Sequence, residues 1–149
     1  MKIYLGADHR GFYLKERIEK FLGELGHEVA DEGDEKLDPK DDYTVFAARV
    51  VNAMKADDEA EPRGILICGS GQGMVIAANR FKGIRAGFGW SVEAARSTRN
   101  DEDSNILALP SDLLEDDDNK WQNIVKTWLD TSFSGAERHK RRVNQLDDM

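Results

Sequence analysis

The sequence predicts an α/β protein: a single doubly wound domain over residues 1–149, with a five-stranded parallel sheet and a C-terminal helical extension. Three observations carry this expectation. Short apolar runs alternate with amphipathic stretches five times, the pattern of strands joined by crossover helices. One run, "GILICG" (64–69), is apolar throughout, as a strand covered on both faces must be. The length of 149 residues suits one ordinary domain, and a hydrophobic content of 40% is enough for a real core at that length.

Each element has its own signal. "KIYLGAD" (2–8) reads as the first strand. Residues 12–26 read as a helix, because Leu14, Ile18, Phe21, Leu22 and Leu25 share one face and Gly26 is a good terminator. "HEVAD" (27–31) is a short strand, followed by an acidic loop containing Pro39. Residues 43–57 are helical, 64–69 a strand and 73–81 a helix. Residues 84–89 form a strand, and 91–99 a helix opened by Ser91 as N-cap. "NILAL" (105–109) is the fifth strand, and Pro110 and Ser111 start a further helical region. In 121–129, Trp121, Ile124, Val125, Trp128 and Leu129 recur at helical spacing, which assigns the tryptophans to core or interface. A basic helix (135–146) ends the chain. The result is a Rossmann-like sheet with no internal repeat and no flexible linker. The acidic stretches 57–61 and 115–118 read as solvated loops or helix ends.

Composition excludes several classes. A net charge of −8 repels phosphate backbones and acidic membranes, so neither nucleic acid nor a membrane is an expected partner. No apolar run approaches about 18 residues, so no membrane span is expected. Met1 and Lys2 lead straight into "IYLG", too short for the core of a leader, and none is expected. One cysteine forbids an intrachain disulfide or a cysteine metal cluster and suits a reducing compartment, so the expected location is the cytoplasm.

Three places carry candidate chemistry. In "LICGSGQGMVIAAN" (66–79) the lone thiol, Cys68, ends a strand, and Gly69, Gly71 and Gly73 follow at every second position. In a doubly wound sheet that is the rim where ligands bind. Bare backbone allows a ligand close to the amides, and the positive end of the next helix faces the same spot. That field is expected to lower the thiol pKa and leave Cys68 exposed as nucleophile or base. A buried strand-end cysteine is the alternative. The spacing is neither a dinucleotide fingerprint, since Met74 stands where glycine is required, nor a Walker loop. "GADHRG" (6–11) puts Asp8 and His9 on the same rim, either to bind a hydroxylated or phosphorylated substrate or, for Asp8, to cap the helix. "ERHKRR" (137–142) holds Arg138 and Arg142 four apart on one helix face, a spacing suited to a phosphate or to a solvated terminal helix.

Taken together, "GADHRGFYLK", "DDYTVFA", "ILICGSGQGMVIAANRFKGIRA", "SNILAL" and "ERHKRRV" resemble, in order and spacing, the ribose-5-phosphate isomerase B family and its galactose-6-phosphate isomerase relatives, from Lys2 to about Val143. The resemblance implies a cofactor-free, metal-free aldose–ketose isomerase of a sugar phosphate, in carbohydrate metabolism and the pentose phosphate pathway. It implies a homodimer or dimer of dimers with shared sites. It implies that Cys68 moves a proton between C1 and C2 through an enediolate. Ser70 and the amides of Gly69, Gly71 and Gly73 are then the oxyanion stabilisers. Asp8 and His9 are substrate contacts, His9 toward the phosphate, and Arg138 and Arg142 anchor the phosphate. Tyr43 matches a substrate-side tyrosine, although Thr44 replaces the usual proline. Relatives with a glutamate base carry it at the position of Met74, so this chain is of the cysteine type.

The chain departs from the family pattern in "RNDEDSNILAL" (99–109). Asp101 stands at the position of a ring-opening histidine, and Glu102 at that of a substrate-binding asparagine. A carboxyl group with a reference pKa of about 4 is a poorer acid near neutrality than an imidazole. Asp112 replaces an arginine beside the phosphate, a change that costs binding energy on the order of kcal/mol. Asp101 can take over ring opening, with ribose 5-phosphate and ribulose 5-phosphate as the pair interconverted. The alternatives are an acyclic substrate such as a tetrose 4-phosphate, a different sugar, or a binding module without catalysis. Trp90 can narrow the pocket or simply pack.

Overall fold

The computed structural model describes residues 1–58 and 61–149. The elements are β1 (Lys2–Ala7), α1 (Phe12–Glu24), β2 (Glu28–Asp31), α2 (Tyr43–Ala56), β3 (Arg63–Cys68), α3 (Gln72–Ala78), β4 (Ala86–Phe88), α4 (Val92–Glu102), β5 (Ile106–Pro110), α5 (Ser111–Leu114), α6 (Asp118–Asp130) and α7 (Glu137–Asp147). All strand pairs are parallel, in the order β2-β1-β3-β5-β4. This is the α/β doubly wound domain expected.

Strand alternation divides the core into two layers. Ile3, Leu5, Ala7, Ile65, Ile67, Leu107 and Leu109 face α1, α4, α5 and α6. Tyr4, Leu66, Cys68, Ile106 and Ala108 face α2 and α3. Both faces of the central strands are therefore apolar, which is why "GILICG" shows no polar alternation. Trp121 and Trp128 are core residues, and each indole N–H has an acceptor: Asp118 Oδ1 at 2.8 Å and Ser104 Oγ at 2.9 Å.

Boundaries follow local hydrogen bonding. Ser91 caps α4 by accepting from the Ala94 amide at 3.1 Å. Helix α6 begins three residues before the tryptophan run, because Asp117 accepts from the Lys120 amide and acts as its cap. The acidic stretch 115–118 is thus a helix start. Residues 59 and 60 of the other acidic stretch lie outside the described residues; its first residue, Asp57, is only partly exposed, accepts from the Tyr4 hydroxyl and pairs with Lys2 at 3.5 Å. Strand β4 is shorter than expected, since Ile84 closes a turn onto Phe81. Among the described residues, no helix is long and apolar enough to cross a membrane.

Candidate active site

The site begins at the carboxyl ends of β1, β3 and β5. Register aligns Ala7 with Ile67 and Cys68 with Pro110, so the segments after these strands leave the sheet side by side. After β1, the Asp8 carboxylate accepts from the amides of Arg10 (3.0 Å) and Gly11 (3.2 Å) and fixes the turn into α1. It does not cap the helix, whose N-cap is Gly11 with no side-chain bond; it closes the turn before it, on the rim. Burial raises its pKa above 3.8, opposed by those two amides. His9 is held by Asp41, which receives both its backbone amide (3.0 Å) and its Nδ1 (2.7 Å). A carboxylate only accepts, so Nδ1 carries the proton and the Nε2 edge is left for a ligand. Asp8, His9 and Asp41 each place one donor atom within 4.8 Å of the others.

Cys68 is buried, at 5% exposure, and the expectation of an exposed thiol is corrected. The expected fall in its pKa is corrected too. Burial pushes the thiol above 9.0, and the amides of Met74, Gly71 and Gly73, which do favour the anion, only partly offset this. The charge of Asp8 adds to the rise. The amide cradle read from the glycine spacing is present; desolvation outweighs it.

Neighbours drawn from distant parts of the chain shape the loop. Gly71 has φ +74, and a side chain there would meet the Phe88 ring at 2.6 Å. Ser70 is exposed, and its Oγ accepts from the Gln72 amide at 3.3 Å. The Tyr43 ring lies over Gly73, within 2.8 Å of where a Cβ would stand. The Arg10 guanidinium lies over Gly69 in the same way, at 2.5 Å. Arg10 is tied to Asp112 (2.6 Å), whose amide donates to the Gly69 carbonyl. Asp112 therefore does not stand alone beside the site; it holds a cation there. Ser111 donates to the carbonyls of Arg10 and Cys68 and locks the two loops together. Arg10, Asp41 and Ser111 were not singled out from sequence. Arg10 lay inside the quoted "GADHRG", yet nothing local shows that residue 112 brings it over the glycine loop.

Asp101, Glu102, Arg138 and Arg142 form a second group. Helix α4 ends at Glu102, and Asn105 just beyond accepts from the Gly64 amide at the amino end of β3. Cys68 is at the other end of that strand, four residues on and roughly 13 Å away at about 3.3 Å per residue. Helix α7 packs on this corner through buried His139 and Val143. Asp101 lies 3.8 Å from His139 Nδ1, which also bonds Ser134 Oγ at 2.6 Å. Arg138 and Arg142 are exposed. Within one chain, then, Asp8, His9, Tyr43, Cys68, Ser70 and the three glycines meet, and these four residues do not join them.

Comparison with known proteins gives a consistent picture. The family model described as Ribose/Galactose Isomerase matches residues 3–146. The ribose-5-phosphate isomerase B of Mycobacterium tuberculosis is 36% identical over 146 residues, 98% of this chain and 88% of that protein. The ribose 5-phosphate isomerase structure from Thermotoga maritima superposes with a TM-score of 0.91 at 40% identity, over 99% of this chain and 98% of that one. The Mycoplasma genitalium ribose-5-phosphate isomerase B, solved with bound ribulose-5-phosphate, gives 0.90 at 34% identity, over 99% and 94%.

Proposed function

This chain belongs to the ribose/galactose isomerase family, and from that premise we propose that it is an aldose–ketose isomerase interconverting ribose 5-phosphate and ribulose 5-phosphate, with Cys68 as the base. One observation carries the mechanism: Cys68 ends β3 at the glycine loop, where the amides of Met74, Gly71 and Gly73 favour its thiolate. In the open-chain aldose, the Cys68 thiolate removes the proton from C2. The C2–H electron pair forms the C1=C2 bond, and the carbonyl oxygen becomes the enediolate anion. The amides of Gly69–Gly73 and the Ser70 hydroxyl stabilise that charge. The same thiol returns the proton to C1, the O2 hydroxyl proton moves to O1, and the ketose results. Burial lowers the thiolate fraction but makes the thiolate, once formed, a stronger base for a carbon acid.

Asp8, His9 and Tyr43 line the sugar, with the Nε2 edge of His9 toward the phosphate. Arg10, held over Gly69 by Asp112, adds a cation beside the glycine loop. Asp101, as ring-opening acid, Glu102 on the sugar, and Arg138 and Arg142 on the phosphate come from a second copy, because in their own chain they stand toward the other end of the strands. Exposed Ile76 (65%), Trp90 (52%) and Val45 (45%) supply apolar surface for such a homodimer. No cofactor enters this chemistry, and the lone thiol fits the reducing cytoplasm.

The test is isomerisation of ribose 5-phosphate in deuterium oxide. Deuterium appears at the exchanging carbon with the native chain, and Cys68→Ala lowers the rate about a thousandfold. An undiminished rate in Cys68→Ala removes Cys68 as base. Asp101 and Glu102, in place of the family's histidine and asparagine, favour a second reading, an acyclic sugar phosphate. A tetrose 4-phosphate turned over faster than ribose 5-phosphate would select it. Binding without turnover of any sugar phosphate would select a non-catalytic module.

A further inference from the structure

At the amino edge of the sheet, away from Cys68, three arginines converge. Arg63 opens β3, Arg85 precedes β4, and Arg99 lies in α4. With Glu61, Asp103 and Asn105 they line a cavity of about 280 Å3.

Two of these arginines are held by several hydrogen bonds. Arg99 Nη1 donates to Asp103 (2.8 Å) and to the Ser104 carbonyl (2.6 Å). Arg85 donates to both Asp147 oxygens (2.9 and 3.0 Å), to Asp103 (3.1 Å), and through Nε to the carbonyls of Glu102 and Asp103. Arg63 differs. Its side chain is 9% exposed, yet its Nη1 is buried with no hydrogen-bond partner among the described residues. Among the described residues its Nη2 reaches only Glu61, at 3.3 Å, and that carboxylate is 80% exposed. A buried guanidinium N–H without an acceptor is costly, and native folds supply one. Burial first, and the charge of Arg99 second, lower the Arg63 pKa, and Glu61 and Asp103 only oppose them. The cavity is thus under-compensated for positive charge at Arg63.

We propose that this cavity is a second anion site, separate from the Cys68 site, that takes a small oxyanion on the Arg63 guanidinium, with the exposed Glu61 side chain swinging off Nη2 to admit it and the guanidinium turning so that Nη1 also gains an acceptor. The ligand is a phosphate or carboxylate group, held by charge-assisted bonds from a planar fork.

The Arg63 guanidinium lies over the Trp128 ring, 5.6 Å from its centroid, and this supplies a local signal. Inorganic phosphate and citrate are titrated separately into the full chain carrying Trp90→Phe, which removes the exposed indole, and tryptophan emission is followed. At least one anion gives a saturable change; phosphate alone identifies a phosphate ligand, and citrate alone a carboxylate. Arg63→Met in that chain weakens the response about tenfold or more, the loss of one charged hydrogen bond. Replacing an unpaired buried charge with an apolar side chain of similar volume is compatible with folding. Glu61→Gln, at an exposed position, tightens the same response several-fold by removing the competing carboxylate. Lack of response to both anions overturns the proposal, as does an affinity unchanged by Arg63→Met. If Arg63→Met does not fold, an affinity unchanged by Glu61→Gln overturns it.

Discussion

Burial and backbone amides pull the Cys68 thiol in opposite directions, and burial wins. The rate constant kcat/KM is therefore expected to rise with pH along a limb centred above the ordinary thiol value. The Asp8 charge contributes to that shift, so Asp8→Asn moves the limb to lower pH, which a pH–rate profile reads even if the maximal rate falls. The same variant changes stability. A carboxyl whose folded pKa is raised favours the folded state while protonated, and that advantage is lost as pH rises from about 3.8 through the folded value. Asparagine keeps the oxygen that accepts from Arg10 and Gly11. Asp8→Asn therefore raises the Tm at neutral pH and leaves it unchanged in acid below the carboxylate range. Arg10 and Asp112 form a half-exposed pair, worth about 1 kcal/mol or less to the fold. Its importance is positional. Arg10→Ala raises KM for the sugar phosphate about tenfold with a smaller change in kcat, and Asp112→Asn, which frees Arg10, lowers KM. The rim positions of Asp8, His9 and Cys68 were legible in the sequence, because strand ends and glycines mark them. The burial of Cys68 and the hold of residue 112 on Arg10 were not, because they depend on contacts made only when distant segments meet.

Among the elements, the loop leading into α3 and the start of α4 separate function from stability. Gly71→Ala forces a left-handed φ on a side chain, costing about 1–2 kcal/mol, and drives its Cβ into Phe88. The cradle of amides shifts with it, so denaturant midpoint and kcat/KM fall together. Ser91→Ala removes only the bond to the Ala94 amide. It lowers stability by about 1 kcal/mol in the same denaturation experiment and leaves kcat/KM near the native value. The strands were legible because continuous apolar runs of four to six residues have few other fates in a chain of this pattern. The start of α6 was missed because its signal is a side-chain cap: Asp117 looks like any member of an acidic run until it is seen bonded to Lys120. The late start of β4 was missed because apolarity marks burial, and Ile84 is buried in a turn rather than in a strand.

For the whole molecule, the decisive geometry is the separation of Cys68 from Asp101, Glu102, Arg138 and Arg142. The motifs name all of these residues, but their order in the chain does not show that they lie toward opposite ends of the strands of one sheet. If two copies complete each site, a mixture of Cys68→Ala and Arg138→Ala/Arg142→Ala chains, unfolded and refolded together, regains activity that neither has alone. Chains refolded apart and then assayed together at once stay inactive, which distinguishes sharing from contamination. The strand order carries a last consequence, for synthesis. Strand β5 lies between β3 and β4, so β4 has no neighbour in the sheet until residues 106–110 arrive. A nascent chain released before Ile106 can join only β2, β1 and β3, so the ribosome must have made more than two thirds of the polypeptide before the sheet can close.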